Sequence, residues 1–306
     1  MQKPLTDQTP APTDAAPHAA VWRWLDKNIF ELGREMRLSY LPPLMVYMAA
    51  GISGLTAIVG TFFVKDYLGM SAAFLAGLGF WAGIPWALKM PVGHLVDLLW
   101  RWKSWLVYLG AGLIALSLLI MVGLVQDRAA MVAIMPAEAW YVLSVILAPI
   151  GYVIQDAVAD AMTVEAVPQV DEQGNPIDPE RRKLMHTTMQ TLGRVAIIGG
   201  SVLVALINLY VFSDVKGLPP AQLAALYGKV YLMALSIPAI SVLGVVIAAL
   251  LKSRERRGLR ATGMSEAEVR AVTSQPDERP DANWWILGGS LVFVIFTVAM
   301  GLGDSR

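Results

Sequence analysis

The 306-residue chain has no cysteine, which excludes disulfides, thiolate zinc sites and cysteine nucleophiles. Histidine is scarce too: His18, His94 and His186 lie far apart without ligand spacing, so no metal site is expected. Charged residues make up only 16% of the chain, and they balance to a formal net charge of zero. A face that binds nucleic acid normally leaves a basic excess, so nucleic acid is not an expected partner. No GxxxxGK[ST] phosphate loop is present, so ATP-driven transport by this chain has no support and no cofactor is expected. What is abundant is apolar surface. Hydrophobic residues reach 56%, and the mean hydropathy of +0.55 is too high for an ordinary soluble domain. The composition is that of an all-α, polytopic membrane protein.

Seven apolar runs are long enough to cross a bilayer, near residues 41–64, 71–92, 105–125, 140–163, 189–212, 229–251 and 284–303. Residues 1–20, rich in Pro, Ala, Thr and Asp, are expected to be a disordered tail rather than a signal peptide. Residues 21–40 mix Trp22, Trp24, Leu25 and Ile29 with charges, as either an amphipathic surface helix or a charged lead-in to the first span. Gly51, Gly54 and Gly60, then Gly77, Gly79 and Gly83, would allow close helix contacts in the first two spans. Pro85, Pro149 and Pro238 are expected to bend their helices for packing.

Seventeen of the 24 Lys and Arg residues fall in segments on one side of these spans, among them Arg37, Arg101, Lys103, Arg181 and Arg254. Four, Lys65, Arg128, Lys216 and Lys229, fall on the other. The positive-inside rule therefore places the N-terminus in the cytoplasm and the C-terminus outside, in the cell's inner membrane or an intracellular one.

The fourth span ends in Gly151–Glu165, GYVIQDAVADAMTVE, where Asp156, Asp160 and Glu165 interrupt an apolar approach. Acids within a spanning helix cost about 2.5–3.5 kcal/mol each at mid-bilayer, so they call for basic partners or a cavity. By helical rise, Asp156 and Asp160 share a layer with Lys89 and Arg194, and their spacing of four puts them on one helix face. Two readings stand: a buried ion-pair cluster that fixes packing, or a substrate, coupling or gating site in which one acid binds a proton. Farther along, Gly93, Asp97, Arg101 and Lys103 have the glycine, aspartate and basic spacing of the major facilitator loop. They act there as a latch, with Arg101 or Lys103 reaching Glu165, or as topology determinants alone.

On three ordered blocks the chain resembles the folate-biopterin transporter family of the major facilitator superfamily. The first is Gly54 with Lys65, Asp66, Leu68, Gly69 and Ser71; the second is Pro85, Trp86, Lys89, Gly93 and Asp97; the third is Asp156, Asp160, Ala161 and Glu165. The resemblance implies a major facilitator-like bundle and alternating-access transport of a small organic solute of the folate or pteridine kind, coupled to protons. It also implies two six-helix halves, of which this chain would supply residues 41–251 as one half, 252–283 as a cytoplasmic linker and 284–306 as a seventh span. The expected partners are membrane lipid, the solute, and a second copy or another protein supplying the remaining helices. The rival reading is a non-transporting assembly or scaffold protein derived from a transporter half. An enzyme is not expected. Gly301–Asp304 resembles the glycine-x-glycine-aspartate motif of intramembrane aspartyl proteases, but the neighbouring span holds no second aspartate.

Overall fold

The computed structural model describes residues 22, 33, 36–63, 69–99, 102–168, 176–215, 217–261, 263–273 and 281–303. Two compact units are distinguished, residues 1–38 and 39–306. Of the first, only Trp22, Gly33 and residues 36–38 are described, so most of the expected tail and surface segment lies outside the described residues. The same holds for the turn at 64–68, for Arg101, for most of the polar loop after Pro168 and for Asp304. Among the described residues the second unit is helical throughout, without strands.

Seven stretches are long and apolar enough to span a membrane: Leu38–Thr61, Ala72–Leu98, Lys103–Gln126, Ala137–Ala166, Pro179–Val211, Pro220–Ala261 and Trp284–Gly301. The chain is thus a multi-pass membrane protein by the length and composition of its helices. The elements are α1 (Leu41–Ile52), a 3-10 turn (Ser53–Thr56) leading to α2 (Ala57–Phe63), α3 (Ala72–Ala87), α4 (Lys89–Leu98), α5 (Lys103–Gln126) and α6 (Arg128–Ile134). They continue as α7 (Ala137–Ala166), α8 (Pro179–Val211), α9 (Pro220–Ala234), α10 (Ser236–Ala261), α11 (Glu266–Thr273) and α12 (Trp284–Gly303).

Local chemistry explains several of the starts and breaks. The Ser71 hydroxyl accepts from the Phe74 amide to start α3, and Asp178 accepts from Arg181 ahead of Pro179 to start α8. The second span breaks at Leu88, between Pro85 and Pro91, and the sixth at Leu235, three residues before Pro238. A proline there has no amide to bond the carbonyl four residues earlier, Ala87 for Pro91 and Ala234 for Pro238. Pro149, by contrast, lies within unbroken α7. At the end of α10, Gly263 takes φ +90°, and Ser265 and Glu268 then cap α11 reciprocally, amide to carboxylate and amide to hydroxyl.

Lipid tails are as apolar as leucine, so close contact and buried hydrogen bonds must hold such a bundle together. Glycines supply the contact. At the α5–α7 crossing, a Cβ on Gly151 would lie 2.6 Å from the Gly110 carbonyl, and one on Gly110 would lie 2.8 Å from the Gly151 carbonyl. Gly200 of α8 backs onto Met48 and Gly51 of α1, and Gly244 of α10 onto Pro42. Gly77, Gly79 and Gly83 of α3 meet nothing within 4 Å, which corrects the expectation of close contacts there. Buried polar ties add to the seam. Ser117 and Ser144 each donate to the other's backbone carbonyl, and Gln155 links the Val107 carbonyl on α5 to the Ser241 hydroxyl on α10. Interhelical hydrogen bonds in membranes average about 0.6 kcal/mol each.

Candidate functional site

The break at Leu88 places Lys89 at the head of α4, which packs against α7 through Val96, Ala157, Val158 and Met162. From there the Lys89 ammonium lies 2.5 Å from Asp156 Oδ2 and 3.0 Å from Asp160 Oδ2. The expected layer therefore forms around one cation and two anions. Asp156 is the inner member, with its side chain 10% exposed, whereas that of Asp160 is 50% exposed. The other oxygen of Asp160, Oδ1, accepts from the hydroxyl of Tyr47 on α1. Tyr47 is itself buried, and its ring fills the space above Gly193 on α8, where a Cβ would lie 2.8 Å from the ring. The cluster is thus gripped from α1, α4, α7 and α8.

Arg194 does not join it. The residue is exposed on α8 and makes no ion pair with an acid among the described residues. Depth along a helix was legible from sequence, but the side of α8 on which Arg194 stands was not: its neighbour Gly193 takes the inward position. Tyr47 was missed because an aromatic residue in an apolar run reads as core.

At the end of the bundle near Ala166, Lys103 and Glu165 form the expected ion pair. Beside it the Ser39 hydroxyl donates to the Ala166 carbonyl at 2.9 Å. Gly93 and Asp97 lie on α4; Gly93 meets nothing that a Cβ would touch, and Asp97 makes no ion pair among the described residues. Arg101, the remaining member of the loop signature, lies outside the described residues. His94, also on α4, accepts a hydrogen bond from the Asn283 amide at 2.9 Å. The Asn283 side chain in turn caps α12 through the Trp285 and Ile286 amides, and a Cβ on Gly301 would lie 2.6 Å from the Trp81 ring. The last span is thereby docked along the second at two points.

Chemically, the cluster can hold and release charge: one ammonium, two carboxylates and a phenol, half open to whatever lies beside α7. No group of three or more His, Cys, Asp or Glu residues among those described is arranged to hold a metal ion. Compared with protein-family models, curated proteins and solved structures, the chain matches none.

Proposed function

We propose that this protein is a secondary transporter of the major facilitator type, moving a small organic solute by alternating access with protons as the coupling ion. The observation that carries the reading is Lys89, held between Asp156 and Asp160 where the second span is broken, with Lys89 and Asp160 both partly open. A purely structural ion pair is best closed off, because every exposed charge in a membrane costs free energy. An open one offers ligands to a solute. The latch of Lys103 and Glu165 at the end of the same helix gives a contact that one state can keep and another can break. The resemblance to folate-biopterin transporters adds pteridine-like solutes as the first to try, and the charge bias puts the N-terminus in the cytoplasm.

Open charge also calls for cover. In this reading Asp160, Lys89 and Arg194 face a second copy of the chain or a partner that completes the pathway. The decisive experiment is uptake into liposomes by the purified full chain, with a pteridine panel, with and without a proton gradient, and with Asp156→Asn as the inactive control. Gradient-dependent uptake that Asp156→Asn abolishes supports the reading; uptake that ignores the gradient or survives Asp156→Asn rejects it, and no uptake of any pteridine by an assembly that retains the fold rejects pteridines as the solute. The scaffold alternative is favoured by one observation. Helices α3 and α12 leave Phe74, Phe80, Trp86, Trp284 and Phe296 exposed, as a partner-binding surface would.

A further inference from the structure

α10 runs on without a break from its apolar part into Lys252–Ala261, a stretch with five basic residues and one acid, Glu255. Helical geometry says which way each of them faces. The apolar part turns Ile237, Ser241, Gly244 and Val245 into the bundle and leaves Leu243, Val246 and Leu250 exposed. At about 100° per residue these three fall within roughly 60° of one another, on the side opposite the buried set. In a membrane that side meets acyl chains. Arg254 and Arg257, four and seven residues after Leu250, continue the same stripe, and both are exposed. Glu255 is turned about 100° or more away from each of them.

The other cations of the stretch are engaged elsewhere. Lys252 is turned to the opposite side, within electrostatic reach of Lys103 at the start of α5. Arg256 donates from Nε to Thr273 Oγ1 at 3.3 Å and Arg260 pairs with Glu266, which ties α10 to α11. Arg254 and Arg257 pair with no acid among the described residues. Arg257 donates to the Ser253 hydroxyl at 3.2 Å, so its guanidinium is folded back one turn towards the membrane. Depth agrees with direction. Lys103 is flanked by the exposed Trp102 and Trp105, and amphipathic indoles of that kind sit at the headgroup level. Arg254 lies about 3 Å beyond Lys252 along the axis, and the folding back of Arg257 brings both guanidiniums into an interfacial layer about 5–7 Å thick.

We propose that Arg254 and Arg257 form a docking site for the headgroup of an anionic phospholipid whose acyl chains lie along Leu243, Val246 and Leu250. Two guanidiniums one turn apart can each donate in parallel to phosphate oxygens. Two positive charges facing one phosphate favour a headgroup of net negative charge over a zwitterionic one, whose own cation they repel. The site depends neither on the transport reading nor on which leaflet this end of the bundle occupies.

Native mass spectrometry of the full chain in mild detergent, titrated with phosphatidylglycerol and separately with phosphatidylcholine, tests this. The first phosphatidylglycerol should bind about tenfold or more tighter than the first phosphatidylcholine. Arg254→Gln with Arg257→Gln should weaken it by about 25-fold, roughly fivefold per arginine. Arg254→Lys with Arg257→Lys keeps the charges and should recover most of that loss, which a misfolded chain would not show. Arg256→Gln with Arg260→Gln removes the same charge from the α11 side and should weaken binding by less than about threefold. Equal weakening by the two Gln doubles would mean a diffuse field instead of a site, and equal binding of the two lipids would remove the charge preference. Displacement of phosphatidylglycerol by glycerol 3-phosphate at equal concentration would leave the acyl chains no part. Each of these results overturns the proposal.

Discussion

Helices α7 and α3 are both apolar stretches of the same membrane chain, yet they live in different surroundings. α7 is wrapped by α5, α1, α4 and α3, with Val153, Val158 and Ala159 almost wholly covered, whereas α3 buries only Leu78. The last span, α12, resembles α3: none of its apolar window is buried inside the protein, against 50% for α5. Glycine shows the contrast at equal chemistry. Gly110 and Gly151 bring two backbones together, while Gly77, Gly83, Gly288 and Gly289 touch nothing. An apolar run thus tells that a helix can enter a membrane, and small residues tell where another helix could approach. Neither tells whether one does within this chain.

The largest expected effect sharpens that contrast directly. Gly151→Ala should push α7 off α5, because the new Cβ meets the Gly110 backbone, which cannot rotate away; overpacking of this kind costs about 1–3 kcal/mol, occasionally more. Gly83→Ala should leave stability unchanged or raise it by up to about 1 kcal/mol through helix propensity. Thermal unfolding in mild detergent checks both, and equal melting temperatures for the two variants would break the distinction between seam and bare helix.

A smaller effect is expected where the two regions meet, at Lys89. Asp156→Ala removes the closer, inner partner and should destabilise by about 1–3 kcal/mol, discounted from the buried-pair range because Lys89 is 41% exposed. Asp160→Ala should cost less, and Lys89→Ala combined with Asp156→Ala less than Asp156→Ala alone. Denaturant unfolding of the parent, Lys89→Ala, Asp156→Ala and their double gives the coupling; additive losses would mean that the ions do not act as a pair.

The smallest effect belongs to neither region. Ser265, through its hydroxyl first and its amide second, holds the Glu268 carboxylate below its ordinary range. A depressed value means that the cap's contribution is complete above the usual glutamate range, roughly pH 4.3, and is lost as pH falls through the lower folded value. Amide exchange in α11 should therefore accelerate at acid pH in the parent, and Glu268→Gln should exchange at the faster rate already at neutral pH. Exchange in α5 and α7 should not follow; if it does, the corner and the seam are one cooperative unit.

Much of this was legible in the sequence because membrane depth is nearly one-dimensional. Apolar runs gave seven spans, and a rise per residue put Lys89 level with Asp156 and Asp160, as found. Helix ends were less legible. α8 runs from Pro179 through Val211, well beyond its apolar part, because the capping by Asp178 and the polar first turns cost nothing outside the lipid. Rotation about each axis was not legible at all. Nothing in the run around Arg194 says that Gly193 turns inward instead, and nothing around Tyr47 says that its hydroxyl meets Asp160 rather than facing lipid headgroups. Azimuth is decided by packing among distant segments, which a single sequence does not display.

The interruption at Leu88 has a mechanical side. α4 is a rigid arm of ten residues, about 15 Å long, attached at Lys89 and carrying His94 halfway along. Tilting it by about 20° about Leu88 would sweep its far end through about 5 Å while barely moving the ammonium at its root. Because the Asn283 amide hangs on His94, the start of α12 would travel with the arm. Small displacements at the ion cluster and large ones at the opposite end of the lever are thus geometrically compatible, with the last span as its load.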